Sequence, residues 1–115
     1  MIPNITIRKI RDLISDELIE GGVGTGITLP LRTDTGLETA ATDWNNSLSS
    51  KIVSSNSINM VHIIELGEND GLTLTEWEII GSDGTNYNRV IKGDILKDTT
   101  QEVHMIQTFI FEVMP

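Results

Sequence analysis

From residue 58 onward the apolar residues come in short runs broken by turn-formers, and a chain patterned this way folds as antiparallel strands. Ile58, Met60, Ile64 and Leu66 fall on one side of a strand over residues 58–66, with Val61 and Ile63 on the other. Asn69-Asp70-Gly71 then marks a turn. The next strand, residues 72–81, carries Leu74, Trp77, Ile79 and Ile80. Asp83-Gly84 is a strong hairpin signal, and residues 87–91 form the returning strand. A loop over 93–100 leads to a last strand over 101–113. Its Val103, Met105, Phe109, Phe111 and Val113 share one face with Gln107, and Ile106 and Ile110 share the other with His104, Thr108 and Glu112. A strand apolar on both faces is expected to be covered on both.

The N-terminal segment has the other periodicity. Ile7, Ile10, Leu13, Ile14 and Leu18 recur at three- and four-residue steps and predict an amphipathic helix within residues 1–20, with Asn4 or Thr6 capping its start. Gly21-Gly22 is expected to end it. Residues 21–46 are rich in Gly, Thr, Asn and Asp. They predict one short strand within 23–31, then a loop over 33–46 anchored by Leu37 and Trp44, with a helical turn at 38–41. Residues 47–54 read as a polar edge strand. The fold class is therefore mainly β: an antiparallel β-sandwich or barrel-like domain, residues 1–115, with one N-terminal helix.

Composition narrows the function. The chain has no cysteine, which excludes disulfides, thiolate metal sites and cysteine nucleophiles. Eight Lys and Arg against seventeen Asp and Glu give a net charge of −9, which repels phosphate backbones and argues against a nucleic-acid partner. No apolar run approaches the roughly 20 residues of a membrane span, and Arg8, Lys9 and Arg11 interrupt what would be the core of a signal peptide.

No chemical motif stands out. His62 and His104 are two histidines in apolar strands without patterned carboxylates, so no metal is expected. Residues 68–71 lack the ligand pattern of a calcium loop. Glu76 and Glu78 are two apart on a strand and share a face. Acid–base chemistry would need one of them buried in a cleft with a raised pKa, and a solvated acidic face is the simpler expectation. Gly22, Gly24 and Gly26 follow a helix instead of opening one and have no lysine after them, so they are not a phosphate loop. They read as a backbone device that lets the chain pack closely against another backbone, with at least one of the three expected at positive φ. No catalytic residue and no cofactor is assigned.

Taken in order, Gly22-Val23-Gly24-Thr25-Gly26, Thr33-Asp34-Thr35-Gly36-Leu37, Leu74-Thr75-Glu76-Trp77, Asp83-Gly84, Arg89, Lys97 and the alternating last strand form a pattern. It resembles the small tail- and baseplate-associated structural proteins of tailed bacteriophages and prophages, of the type adjacent to tail fibres. The chain departs from that pattern at Trp77-Glu78, where a small and an apolar residue are usual. The resemblance implies a non-enzymatic virion component, soluble in the host cytoplasm before assembly, homo-oligomeric and often trimeric, with other virion proteins as partners. It also implies that Glu76 and Lys97 occupy recurring positions, and from this the two are expected to pair, partly buried.

Two further expectations follow from the residues. The surplus of apolar faces predicts a homo-oligomer whose interface includes Ile106 and Ile110, or the helix stripe with Ile10 and Ile14. The alternative is a carbohydrate- or ligand-binding sandwich that uses exposed Trp44, Trp77 or Tyr87. Core positions for the two tryptophans are the simpler reading.

Overall fold

A computed structural model describes residues 3–112. The helix α1 spans Asn4–Glu17, and seven strands follow: β1 Leu18–Gly24, β2 Ala40–Ser47, β3 Ser50–Val53, β4 Ser57–Ile64, β5 Thr73–Gly81, β6 Asn86–Leu96 and β7 Val103–Ile110. They form two antiparallel sheets, ordered β2-β1-β5-β6 and β3-β4-β7, in a β-sandwich-like arrangement with one N-terminal helix.

The inner faces follow from period-two alternation. Along β4 every second residue is buried, so Ile58, Met60, His62 and Ile64 point inward. In β5 the register with β6 shifts between Leu74 and Glu76, which lets Leu74 and Trp77, three residues apart, both reach the core. Val23, Ala41, Ile64, Leu74, Trp77 and Met105 fill one half of the interior. Leu18, Ile58, Met60 and Ile79 fill the other, closed by Ile14, Leu48, Phe109 and Phe111. Trp77 is a fully buried core residue, as expected from its size.

Several local expectations are corrected. Gly21-Gly22 does not end the helix, because α1 passes directly into β1 at Leu18. The Lys51 ammonium donates to the Ser15 and Leu18 carbonyls, satisfying acceptors that a helix C-terminus leaves open, so no glycine cap is needed. Pro3 is the N-cap and no side chain caps the helix; Asn4 and Thr6 do not. The expected loop over 33–46 ends in a strand, β2, which pairs along the edge of β1; no helical turn forms at 38–41. The returning strand β6 runs through Gly93 to Leu96.

The last strand is covered on one face only. Registers pairing Val61 with Ile106, Ile63 with His104 and Ser57 with Ile110 place these residues together on the outer face of the second sheet. Among the described residues no element lies over that face. The helix packs instead at the sheet's end, where Arg11 donates to the Ser54 and Ser55 carbonyls. The body is elongated, 49 × 27 × 25 Å.

Candidate functional site

The outer face of the first sheet carries the densest polar network. Glu76 and Glu78 project there from β5, and the segment over residues 25–39 crosses above them. β1 beneath this segment contributes Gly22 and Gly24, which have no side chains. A Cβ on Gly22 would meet Glu78 Cγ and Oε1 at 2.8 Å, and one on Gly24 would meet Glu76 Oε2 at 2.6 Å and the Thr39 carbonyl more closely still. A Cβ on Gly26 would collide with the Glu76 carboxylate and Glu38. None of these glycines has positive φ, contrary to expectation; Gly67, Gly71 and Gly84 do. The role of Gly22, Gly24 and Gly26 is room for two buried carboxylates, and at Gly24 also for the Thr39 carbonyl. Asp83-Gly84 makes the expected hairpin turn, with Gly84 at φ 83° and its N–H donating to the Gly81 carbonyl at 3.0 Å.

Glu76 is fully buried. Its Oε2 accepts from the backbone N–H of Gly26 at 2.6 Å and of Thr39 at 2.9 Å. Its Oε1 accepts from the Glu38 N–H at 2.7 Å and from Arg89 Nε at 2.8 Å. Burial raises its pKa, but the Arg89 guanidinium and the Thr39, Glu38 and Gly26 amides together outweigh this and hold it below the usual carboxylate range. Arg89 also donates to Asp34 Oδ2 at 3.2 Å, while its Nη2 is buried without a partner among the described residues. Four donors on one carboxylate staple the two ends of the 25–39 segment to the sheet.

Lys97 does not pair with Glu76. Glu76 lies opposite Ile91, whereas Lys97 stands beyond the end of β6. The Lys97 side chain is fully buried and donates to Asp70 Oδ1 at 2.8 Å and the Asp98 carbonyl at 2.9 Å. Its backbone meets Gly71 and Leu72, so it ties the 65–72 turn to the end of β6. Both residues are structural, in separate networks.

Glu78 behaves differently from Glu76. It too is buried, so the expected solvated acidic face is not present. Burial pushes its pKa up, the Asn86 amide pulls it down, and the negative charge of Glu76 adds to the rise; the net direction is upward. Asn86 Nδ2 donates to its Oε2 at 2.5 Å. Two carboxyls on one face are thus driven apart, Glu76 ionised and Glu78 retaining its proton more readily. Glu78 opens onto a groove of about 380 Å³ walled by Ile19, Leu37, Ala40, Ile80 and the partly exposed Trp44. Such a groove can take a small ligand with an apolar face and a hydrogen-bonding edge. Glu76, saturated by donors, is not available to one.

The histidines do not meet. His62 points into the core, edge-on to Trp77 with ring centroids 6.1 Å apart, while His104 lies on the opposite face beside Glu102. Among the described residues no group of three or more acidic or histidine side chains gathers as a metal site. No described helix is long and apolar enough to cross a membrane.

The expected interface residues divide. Ile106 and Ile110 are 61% and 60% exposed, and Ile10 is partly exposed. Ile14 is packed against the core and is not available as an interface residue. Comparison with family models, curated proteins and solved structures finds no match.

Proposed function

We propose that this chain is a non-enzymatic structural subunit that works by homo-oligomeric assembly, of the phage tail or baseplate type that its sequence pattern resembles. One observation carries the assembly reading: the uncovered outer face of the second sheet. Ile52, Ile106 and Ile110 are exposed there, and Val61 and Ile63 are half-buried on the same face. Five β-branched aliphatics lie on this one small face, Val61, Ile63 and Ile106 adjoining and Ile52 and Ile110 set off by the Asn59–Thr108 pair, and uncovered apolar surface of this kind marks an interaction site. A closed cyclic oligomer buries the same patch on every copy. The trimer, the virion location and the other virion proteins as partners rest on the resemblance.

The test is light scattering coupled to size exclusion at tens of micromolar. Wild type is expected to run as a stable oligomer and Ile110→Glu as a folded monomer. A monomeric wild type would refute assembly and favour the ligand-binding alternative at the Trp44–Glu78 groove. An unchanged oligomer in Ile110→Glu would refute this interface.

A further inference from the structure

The tip of α1 carries the densest run of positive charge in the chain, at an end of the sandwich that also holds Asp12, Asp16, Glu17, Asp83 and Glu112. Of eight cations, Arg8, Lys9 and Arg11 fall within four residues of α1. Arg11 is held by Ser54 and Ser55 at the β3–β4 turn, and the helix N-terminal to it projects beyond that end of the sandwich. Arg8 and Lys9 are exposed and form no ion pair among the described residues. Ile5, 75% exposed, and Ile10 stand beside them.

β4 runs away from that end, so the 65–72 turn lies at the opposite one. There the turn meets the end of β6 through the Gly71 N–H and the Lys97 carbonyl, 2.7 Å apart, and residue 102 precedes the strand end where Val103 pairs with Ile64. Asn69 adds Asp43 to the same end by bonding its backbone on both sides. Six carboxylates are spread over the segments that reach this end: Asp43, Glu65, Glu68, Asp70, Asp98 and Glu102. The one lysine among them, Lys97, is fully buried and engaged by Asp70. Leu66 and Leu96 are exposed within this acidic end.

We infer that the helix tip of one copy docks on the acidic end of a second copy, joining subunits head to tail along the long axis. Arg8 and Lys9 meet carboxylates, and Ile5 and Ile10 meet Leu66 and Leu96. The contact is heterologous: the two surfaces lie at opposite ends of the molecule, so each docking leaves a free tip and a free acidic end. It rests on the assembly reading above and adds a second, axial interface to the lateral one. In a cyclic ring built through the second sheet with its symmetry axis along the strands, all subunits point the same way. Every helix tip of one ring then faces an acidic end of the next, and rings stack.

The contact is electrostatic at its rim, which separates it from the apolar lateral one. Screening length falls from about 8 Å at 0.15 M salt to about 3 Å at 1 M. Light scattering at low salt is expected to show wild-type species larger than one ring, returning to single rings at 1 M NaCl. Arg8→Glu with Lys9→Glu, or Glu65→Lys with Glu102→Lys, should each abolish the larger species while keeping the ring. All four side chains are exposed, and a circular-dichroism melt checks that each variant folds. Mixing the two double variants should restore mixed pairs, because the reversed tip no longer meets its own end but fits the other variant's. Larger species indifferent to salt and to both reversals, or no mixed association, would overturn the stacking and leave the ring. A wild type that stays monomeric at every salt would overturn both.

Discussion

Replacing Glu76 by glutamine is the most direct test of the staple over the first sheet. The two side chains have nearly the same shape, so packing is conserved and only charge and donor pattern change. Each oxygen of Glu76 accepts two donors, Gly26 and Thr39 on Oε2, Glu38 and Arg89 on Oε1. Whichever oxygen becomes an amide NH₂, two donors then face a donor. Two hydrogen bonds to a charged acceptor are worth roughly 1.5–3 kcal/mol each. The same change takes the carboxylate from buried Arg89, and breaking a buried pair costs about 3–5 kcal/mol. These costs overlap, so the expected loss is about 3–5 kcal/mol. For a chain of this size it lowers Tm by roughly 12–20 °C. Urea unfolding followed by the fluorescence of buried Trp77 measures the loss. Hydrogen exchange at Gly26, Glu38 and Thr39 tests whether the 25–39 segment opens before the rest. The depressed Glu76 pKa sets the pH sign. Its contribution is complete above the ordinary carboxylate pKa and is lost as pH falls through the lower folded value, so wild type and variant should converge in acid. A variant within about 1 kcal/mol of wild type at neutral pH, with all three amides still protected, would refute the staple.

His62, buried with its pKa lowered by burial to about 4, should make the fold acid-sensitive. Unfolding lets it take a proton between about pH 6.5 and 4, so stability falls with pH across that window, by about 3 kcal/mol in full. The difference between wild type and His62→Met urea midpoints isolates this from Glu78, whose raised pKa acts in the opposite direction; a pH-independent difference would refute it. Lys97→Met keeps the buried stem and removes the bonds to Asp70 and the Asp98 carbonyl. It should cost about 1.5–3 kcal/mol, because partly exposed Asp70 can return to water. An unchanged melting temperature would mean that the pair is not stabilising.

The sheet-forming half of the chain was legible because one physical signal dominated it. β4 shows strict alternation, and Gly84 supplies the left-handed conformation its hairpin requires. β2 was hidden because its residues are polar and its partner β1 offers glycines, so neither strand shows an apolar alternation around Gly21 and Gly22. The helix end was misread for a related reason. A glycine pair has two uses, capping a helix and admitting a neighbour closely, and only the position of Glu78 and His62 over β1 decides between them. The last strand was read correctly as apolar on both faces, but the expected cover on both is not there, because the helix packs at the sheet's end, a direction that no local pattern encodes.

The site was legible in its residue types and not in its pairings. Glu76, Arg89 and Lys97 were all marked by position, yet charge alone does not say which cation a carboxylate takes. Register decides it: Arg89 lies opposite Glu78 on β6, within reach of Glu76 on the same face, and Lys97 lies beyond the strand. Burial then splits two equivalent glutamates. Glu76 is surrounded by donors and stays charged, while Glu78 has one amide and a charged neighbour and moves toward its neutral form. The glycines of β1 make both outcomes possible, since a single methyl at Gly22 or Gly24 would occupy the space of a carboxylate. The 25–39 segment is therefore held down by Glu76, one of the two carboxylates expected on a solvated face. The surfaces left over for partners are those the sandwich does not use, the outer face of the second sheet and the two charged ends.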